Sequence, residues 1–269
     1  MATAIKTRTK ADIIPPAGVY RYSDMNPTEV KIKGANGDEI PAYLMRPEEE
    51  GVFPAVVFPH GIHGTEEHVK DVARRLALFG YVSIMPALYT RSGFRSIEEL
   101  DHDMGPAGAA LRSRPHAQAD GDMQGALDYL KTLDCVDSDR IGIIGFCSGG
   151  TVALSFASAT KDAKVVISCY PNNAINPTDA NPVPVVDRVK NISCPILLIS
   201  GVEDTNPTPE DMGKIEAELK KAGKTVEAHG LNEAAHAFFS DSRDSYRPEA
   251  AHIAWGYILD WLAKYLKYV

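Results

Sequence analysis

Ile141-Gly142-Ile143-Ile144-Gly145-Phe146-Cys147-Ser148-Gly149-Gly150-Thr151-Val152-Ala153 is the stretch on which the reading of this chain turns. Its first four residues suit a short strand buried on both faces. They pass without a break into Gly-x-Cys-x-Gly and a small-residue helix carrying Val152 and Phe156 on one face. A side chain aimed outward from the tip of a parallel sheet needs a sharply bent backbone, and the adjoining strand and helix leave no room for bulk two positions to either side. Gly145 and Gly149 answer that demand. The sulfur then lies at the amino end of the helix opening at Ser148, where unpaired N–H groups and the helix dipole favour an anion. Thiolate is the reactive form of cysteine. The pattern is a nucleophile elbow with cysteine in place of serine. A buried structural cysteine in a glycine-rich turn would look the same locally, so its partners decide.

Outward from this turn, Thr28 to Lys33 and Ile40 to Met45 read as strands joined by Gly34-Ala35-Asn36-Gly37, and Asn-Gly favours a hairpin. Strands and helices then alternate. Strands are expected at Ala55–Phe58, Val82–Met85, Ile141–Ile144, Val165–Cys169, Ile196–Ser200 and Thr225–His229, and helices at Glu66–Phe79, Asp120–Leu133, Ser148–Thr160, Pro209–Ala222 and Pro248–Tyr265. Alternation of this kind implies an α/β fold, a mostly parallel, doubly wound sheet of about eight strands with helices on both faces and no separate cap domain. Residues 1–27, with Pro15, Pro16 and Pro27, read as an amino-terminal arm, and residues 28–269 as a single domain. Two connections, Ala87 to Ala119 and Pro171 to Asn191, look long and irregular. Both leave the carboxyl edge of the sheet, where ligands bind in such folds, so they are the expected pocket walls.

With 269 residues, 44% hydrophobic and 24% charged, the chain can bury a substantial core. A formal charge of -8 disfavours nucleic acid and anionic membranes as partners. Four cysteines without a Cys-x-x-Cys pair suggest neither a zinc site nor a disulfide framework, and reduced thiols in a cytoplasmic protein are the simplest account. No apolar run approaches the length of a membrane span, and the basic start lacks the apolar core of an export signal. The expected quaternary state is a monomer or homodimer, with no cofactor and no metal.

In this architecture an acid follows a later strand and a histidine follows the last one. Gly201-Val202-Glu203-Asp204 places Asp204 at a strand end, with Glu203 as its rival. Asn232-Glu233-Ala234-Ala235-His236 places His236 after the final strand. Of the eight histidines, only His236 occupies that slot. The order Cys147, Asp204, His236 fits a triad in which the histidine moves protons and the acid holds its tautomer. Oxyanion donors are expected from the N–H of Ser148 and from the loop Pro59-His60-Gly61-Ile62-His63-Gly64. There Ile62 is favoured by spacing and Gly61 is the alternative.

Gly145-Phe146-Cys147-Ser148-Gly149-Gly150, Gly201-x-x-Asp204, Ala235-His236-Ala237-Phe238 and Pro86-x-Leu88-Tyr89 together resemble the dienelactone hydrolase family of α/β-hydrolases, over about residues 28–265. The resemblance implies metal-free hydrolysis of an enol-lactone such as 4-carboxymethylenebut-2-en-4-olide to maleylacetate, through an acylated cysteine released by water. Tyr89, Arg91, Arg112, Arg114 and Phe238 are the candidate substrate-binding residues.

Three features depart from the family, one of them an amino-terminal arm longer than the family core requires. The glutamate that holds the resting thiol is Gly61 here. The arginine expected soon after the catalytic histidine is replaced by Phe239-Ser240, with Arg243 the nearest basic residue. The arginines of the long loop, Arg91, Arg95, Arg112 and Arg114, are the substitutes available to grip a substrate carboxylate. A different ester or lactone substrate, a broader carboxylesterase, thioesterase or peptidase, and a non-hydrolytic thiol or ligand-binding protein are the competing readings.

Overall fold

The computed structural model describes Met25 and residues 27–267. Strands β1 (Thr28–Lys33) and β2 (Glu39–Met45) form the amino-terminal hairpin, in register from Thr28 opposite Leu44 to Lys33 opposite Glu39. Between them Asn36 and Gly37 take φ of 59° and 80°, the left-handed pair that Asn-Gly adopts with least strain. The chain continues through β3 (Phe53–Val57), α1 (Glu67–Leu78), β4 (Val82–Pro86), α2 (Met104–Ser113), α3 (His116–Leu130), β5 (Val136–Phe146) and α4 (Ser148–Ala159). It ends with β6 (Val165–Cys169), α5 (Val185–Arg188), β7 (Ile196–Gly201), α6 (Pro209–Lys221), β8 (Val226–Leu231) and α7 (Pro248–Leu266).

The strands form one eight-stranded sheet in the order β1-β2-β4-β3-β5-β6-β7-β8. From β4 to β8 every pairing is parallel, and only the β1–β2 and β2–β4 pairings are antiparallel. From β3 the chain steps outward to β4, then crosses back to place β5 on the other side of β3. Strand order reverses there, so the crevice at the carboxyl ends of β3 and β5 is where an open α/β sheet binds ligands.

Successive strand residues face opposite layers, which explains the continuous apolar runs. Ala55 and Val57 of β3 point into a core shared with α3, α4 and α6, whereas Val56 and Phe58 point into a second core shared with α1 and α7. Trp261 and Leu262 of α7 lie in that second core.

Two expectations about the connections need correction. The first long connection is not irregular throughout, because it contains α2 and the start of α3. The elbow strand also begins earlier than Ile141, at Val136, which pairs with Phe53 before the register shifts. The proposed arm lies outside the described residues apart from Met25 and Pro27. Met25 is buried against Met45, Ala73 and Ala77, and its carbonyl accepts the Nε–H of Arg74 at 2.7 Å. Among the described residues, no helix is long and apolar enough to cross a membrane.

Candidate active site

β5 delivers Cys147 at the crevice with φ 56° and ψ −131°, a conformation costly for any residue with a side chain. The turn persists because its neighbours leave no alternative. A Cβ on Gly145 would lie 2.1 Å from the carbonyl oxygen of Gly149, and one on Gly149 would lie 2.5 Å from that of Pro59. The Cys147 N–H donates to the carbonyl of Cys169 at 3.0 Å, which ties the strained residue to the end of β6.

Three side chains from three different loops converge here. His236 Nε2 lies 3.1 Å from Cys147 Sγ, and His236 Nδ1 lies 2.9 Å from Asp204 Oδ2. Asp204 is buried just past the end of β7, and its Oδ1 accepts the N–H of Asn206 at 2.8 Å. Glu203, the rival acid, is exposed, whereas Asp204 carries the contact to His236. Burial, the largest single influence on His236, would lower its affinity for a proton. Hydrogen bonds to Asp204 and Cys147, with the charges of both, outweigh it and push the ring up to about 10. With Nδ1 bonded to Asp204 and Nε2 to the sulfur, both ring nitrogens have a partner for a proton.

No carboxylate stands at position 61 to hold the resting thiol. A Cβ on Gly61 would lie 3.6 Å from Cys147 Cβ, so position 61 does look onto the nucleophile. Here His236 itself makes the contact with the sulfur. Tyr170, at the end of β6 with φ 39°, lies edge-on to the His236 ring at 5.2 Å and against Phe238 at 5.3 Å. Tyr170 was not singled out from the sequence, although it follows a buried strand directly, as Cys147 does. It backs the imidazole with an apolar wall.

Beside the elbow opens a cleft of about 620 Å³, counting the part open to solvent. Arg112, Arg114, Ser148, Thr151, Asn173 and Asn181 are among its lining residues. Arg114 is buried, its guanidinium carbon is 5.6 Å from the centre of the Tyr89 ring, and its Nη1 has no hydrogen-bond partner. Ser148 Oγ is likewise buried and unpartnered. Asn173 joins this wall to the acid loop: its N–H donates to Asn206 Oδ1 at 2.9 Å, and Asn206 Nδ2 donates to Asn173 Oδ1 at 3.1 Å. The asparagines of the Pro171–Asn191 connection went unnoticed in the sequence, where they read only as loop composition.

Of the remaining candidates only Arg112 reaches the cleft. Arg91 is a structural residue: Nη1 and Nη2 donate to Asp122 at 2.7 and 3.1 Å, Nε to Asp38 at 2.7 Å, and Nη2 also to the Ala35 carbonyl. Arg95 is held by Glu29 and Glu99. Arg243 is paired with Glu66. Phe238 is fully buried behind His236 and belongs to the core. Tyr89 is buried with its hydroxyl donating to the Ile62 carbonyl at 3.1 Å, so it braces the Pro59–Gly64 loop. Arg112 lies exposed at the rim.

An eight-stranded, mostly parallel sheet with a strained residue at the strand-to-helix turn defines an α/β-hydrolase. Residues 40–266 match the dienelactone hydrolase family, and the chain belongs to it. A protein of Methylorubrum extorquens, provisionally named carboxymethylenebutenolidase, is 33% identical over 88% of this chain and 80% of its own. A Bradyrhizobium protein, provisionally named 2-oxo-3-(5-oxofuran-2-ylidene)propanoate lactonase, is 32% identical over 87% of this chain and 92% of its own. The crystal structure of a Klebsiella pneumoniae protein, provisionally assigned as a dienelactone hydrolase, superimposes with a TM-score of 0.81 at 31% identity, covering 88% of this chain and 98% of that one. The chain is a hydrolase of ester or lactone bonds.

Proposed function

We propose that the chain hydrolyses a small, activated, carboxylate-bearing lactone, an enol-lactone of the dienelactone type, through Cys147, His236 and Asp204. The observation that carries this reading is the unbroken run Sγ···Nε2 at 3.1 Å and Nδ1···Oδ2 at 2.9 Å. The Cys147 thiolate attacks the lactone carbonyl carbon, and the carbonyl electron pair moves to oxygen. The N–H groups of Ile62 and Ser148 receive that oxyanion; among the described residues neither donates to a backbone carbonyl. Collapse of the adduct breaks the ring C–O bond, and His236 Nε2 protonates the departing enolate oxygen. The ring, now neutral at Nε2, deprotonates a water that attacks the thioester carbon. The second adduct expels the thiolate, and the proton remains on His236. Asp204 accepts the Nδ1–H throughout and balances the imidazolium.

Leaving-group chemistry favours activated substrates. In the first adduct the thiolate departs more readily than an ordinary alkoxide, so return to substrate wins unless the ring oxygen leaves as a stabilised enolate. Arg114 on the cleft wall supports a substrate carboxylate, because its guanidinium is buried and its Nη1 is left without a hydrogen-bond partner, a costly state that an arriving anion would relieve. The enol-lactone substrates named for the relatives agree in kind. The four free cysteines suit a reducing compartment, and the cytoplasm is our assignment.

The test is a kinetic panel of paired lactones with and without a carboxylate, on wild type and Arg114→Gln. Wild type is expected to favour the anionic member by at least about tenfold, or roughly 1.4 kcal/mol, and Arg114→Gln to lose that preference. Neutral substrates preferred by wild type would refute the carboxylate site. Turnover persisting in Cys147→Ala would refute the mechanism.

A further inference from the structure

His60, at the exit of β3, has two ring contacts that fix its state. The Leu88 N–H donates to Nε2 at 2.9 Å, so Nε2 is unprotonated, and the proton must sit on Nδ1, which donates to the Gly61 carbonyl at 2.8 Å. Burial, aided by the positive charge of Arg114, pushes the ring down to about 3, so this tautomer persists across the working pH range. The Gly61 carbonyl and the Ile62 N–H belong to one planar trans peptide and point in opposite directions. Holding one therefore aims the other. The next peptide is held as well, by the Tyr89 hydroxyl on the Ile62 carbonyl at 3.1 Å. The His60 and Tyr89 rings pack together at 4.7 Å, so the exits of β3 and β4 form one latch.

We infer that His60 and Tyr89 are positioning residues that aim the Ile62 N–H at the oxyanion formed on Cys147. Neither reaches the reacting atoms. This inference rests on the acyl-enzyme reading above, with Ile62 as a donor. A donor misaimed by about 1 Å weakens transition-state stabilisation by about a hundredfold while leaving the thiol's own reactivity alone. That asymmetry supplies the test.

Two rates are measured on wild type, His60→Phe, His60→Asn and Tyr89→Phe: acylation of Cys147 by p-nitrophenyl acetate, and alkylation of Cys147 by iodoacetamide. Alkylation displaces iodide from a saturated carbon and forms no oxyanion. His60→Phe keeps the ring volume and loses both hydrogen bonds; its acylation is expected to fall about a hundredfold with alkylation within about twofold of wild type. His60→Asn can keep a donor for the Gly61 carbonyl and should recover most of the acylation rate. Tyr89→Phe, lacking only the hydroxyl, should lose about tenfold in acylation. Wild-type acylation in His60→Phe and Tyr89→Phe, or equal losses in both rates, would overturn the positioning role. Should His60→Phe not fold, Tyr89→Phe decides alone. A wild type that is alkylated at Cys147 but never acylated there would instead overturn the hydrolase reading, and this role with it.

Discussion

Asp204 and His236 are joined by a 2.9 Å hydrogen bond between a fully buried carboxylate oxygen and the ring nitrogen remote from Cys147. The acid therefore governs the imidazole's proton without access to substrate. Asp204→Asn is expected to cut turnover by about 10²–10⁴-fold with little change in KM, because an amide lets the ring adopt the wrong tautomer. Steady-state kinetics on an activated ester would show it, and a loss confined to KM would contradict the assigned role.

The same contacts set a pH signature. His236 is raised from 6.5 to about 10, so the folded chain keeps a proton that the unfolded chain releases. Stability from this pair is complete below pH 6.5 and is lost as pH rises toward about 10. Removing the sulfur in Cys147→Ala, or the charge in Asp204→Asn, should lower the ring's titration midpoint as followed by NMR. A midpoint unchanged in both variants would be inconsistent with the geometry.

On the acid side the sign reverses. Burial pushes His60 down to about 3 and His63, His68 and His116 to about 4, each from 6.5. Between pH 6.5 and 4 the unfolded chain takes up protons at these sites and the folded chain does not. Each site therefore removes up to about 1.4 kcal/mol of stability per pH unit on acidification. His116→Gln should flatten the fall of Tm across that window, and an unaltered slope would count against its burial as a cause.

Two glycines, chosen by their surroundings, should behave oppositely. Gly145→Ala would force a Cβ to 2.1 Å from the Gly149 carbonyl oxygen, and a loss of more than about 3 kcal/mol or failure to fold is expected. Gly213, inside α6, has nothing within 4 Å of an added Cβ, so Gly213→Ala should gain up to about 1 kcal/mol. Denaturant unfolding measures both.

Arg91→Ala should lower stability by about 3 kcal/mol, since it strands the fully buried Asp122 carboxylate, and should leave kcat/KM intact. A specific loss of activity on anionic substrates at unchanged Tm would reinstate Arg91 as a binding residue.

The sequence carried the framework because its signals were local. Continuous apolar runs marked the buried parallel strands, Asn36-Gly37 marked the hairpin, and the glycines within two residues of Cys147 marked its turn. Helix α2 escaped because Gly105, Pro106 and Gly108 read as loop, although Asp103 caps the first turn by accepting the Gly105 N–H and Ala107 and Ala110 bury its inner face. The β5 extension escaped because Asp137-Ser138-Asp139-Arg140 looks like a turn, while its pairing begins with Phe53, far away in sequence. Among the arginines, nothing local separated Arg91, neutralised by Asp38 and Asp122, from Arg114, buried on the cleft wall with its Nη1 unpartnered; that distinction exists only once α2, α3 and the hairpin are assembled. The positioning contacts of His60, a residue of the oxyanion loop, were not legible, because its partner, the Leu88 N–H, arrives from beyond another strand.

The most direct test of the central claim is intact-protein and peptide mass spectrometry after rapid quenching with p-nitrophenyl acetate. The account predicts one acetyl group on the peptide containing Cys147, formed in a burst and accumulating in His236→Ala treated at high pH, where the thiolate forms without help but water is no longer activated. Hydrolysis by wild type with no adduct on Cys147, or an acetyl group found only on another residue, would contradict it.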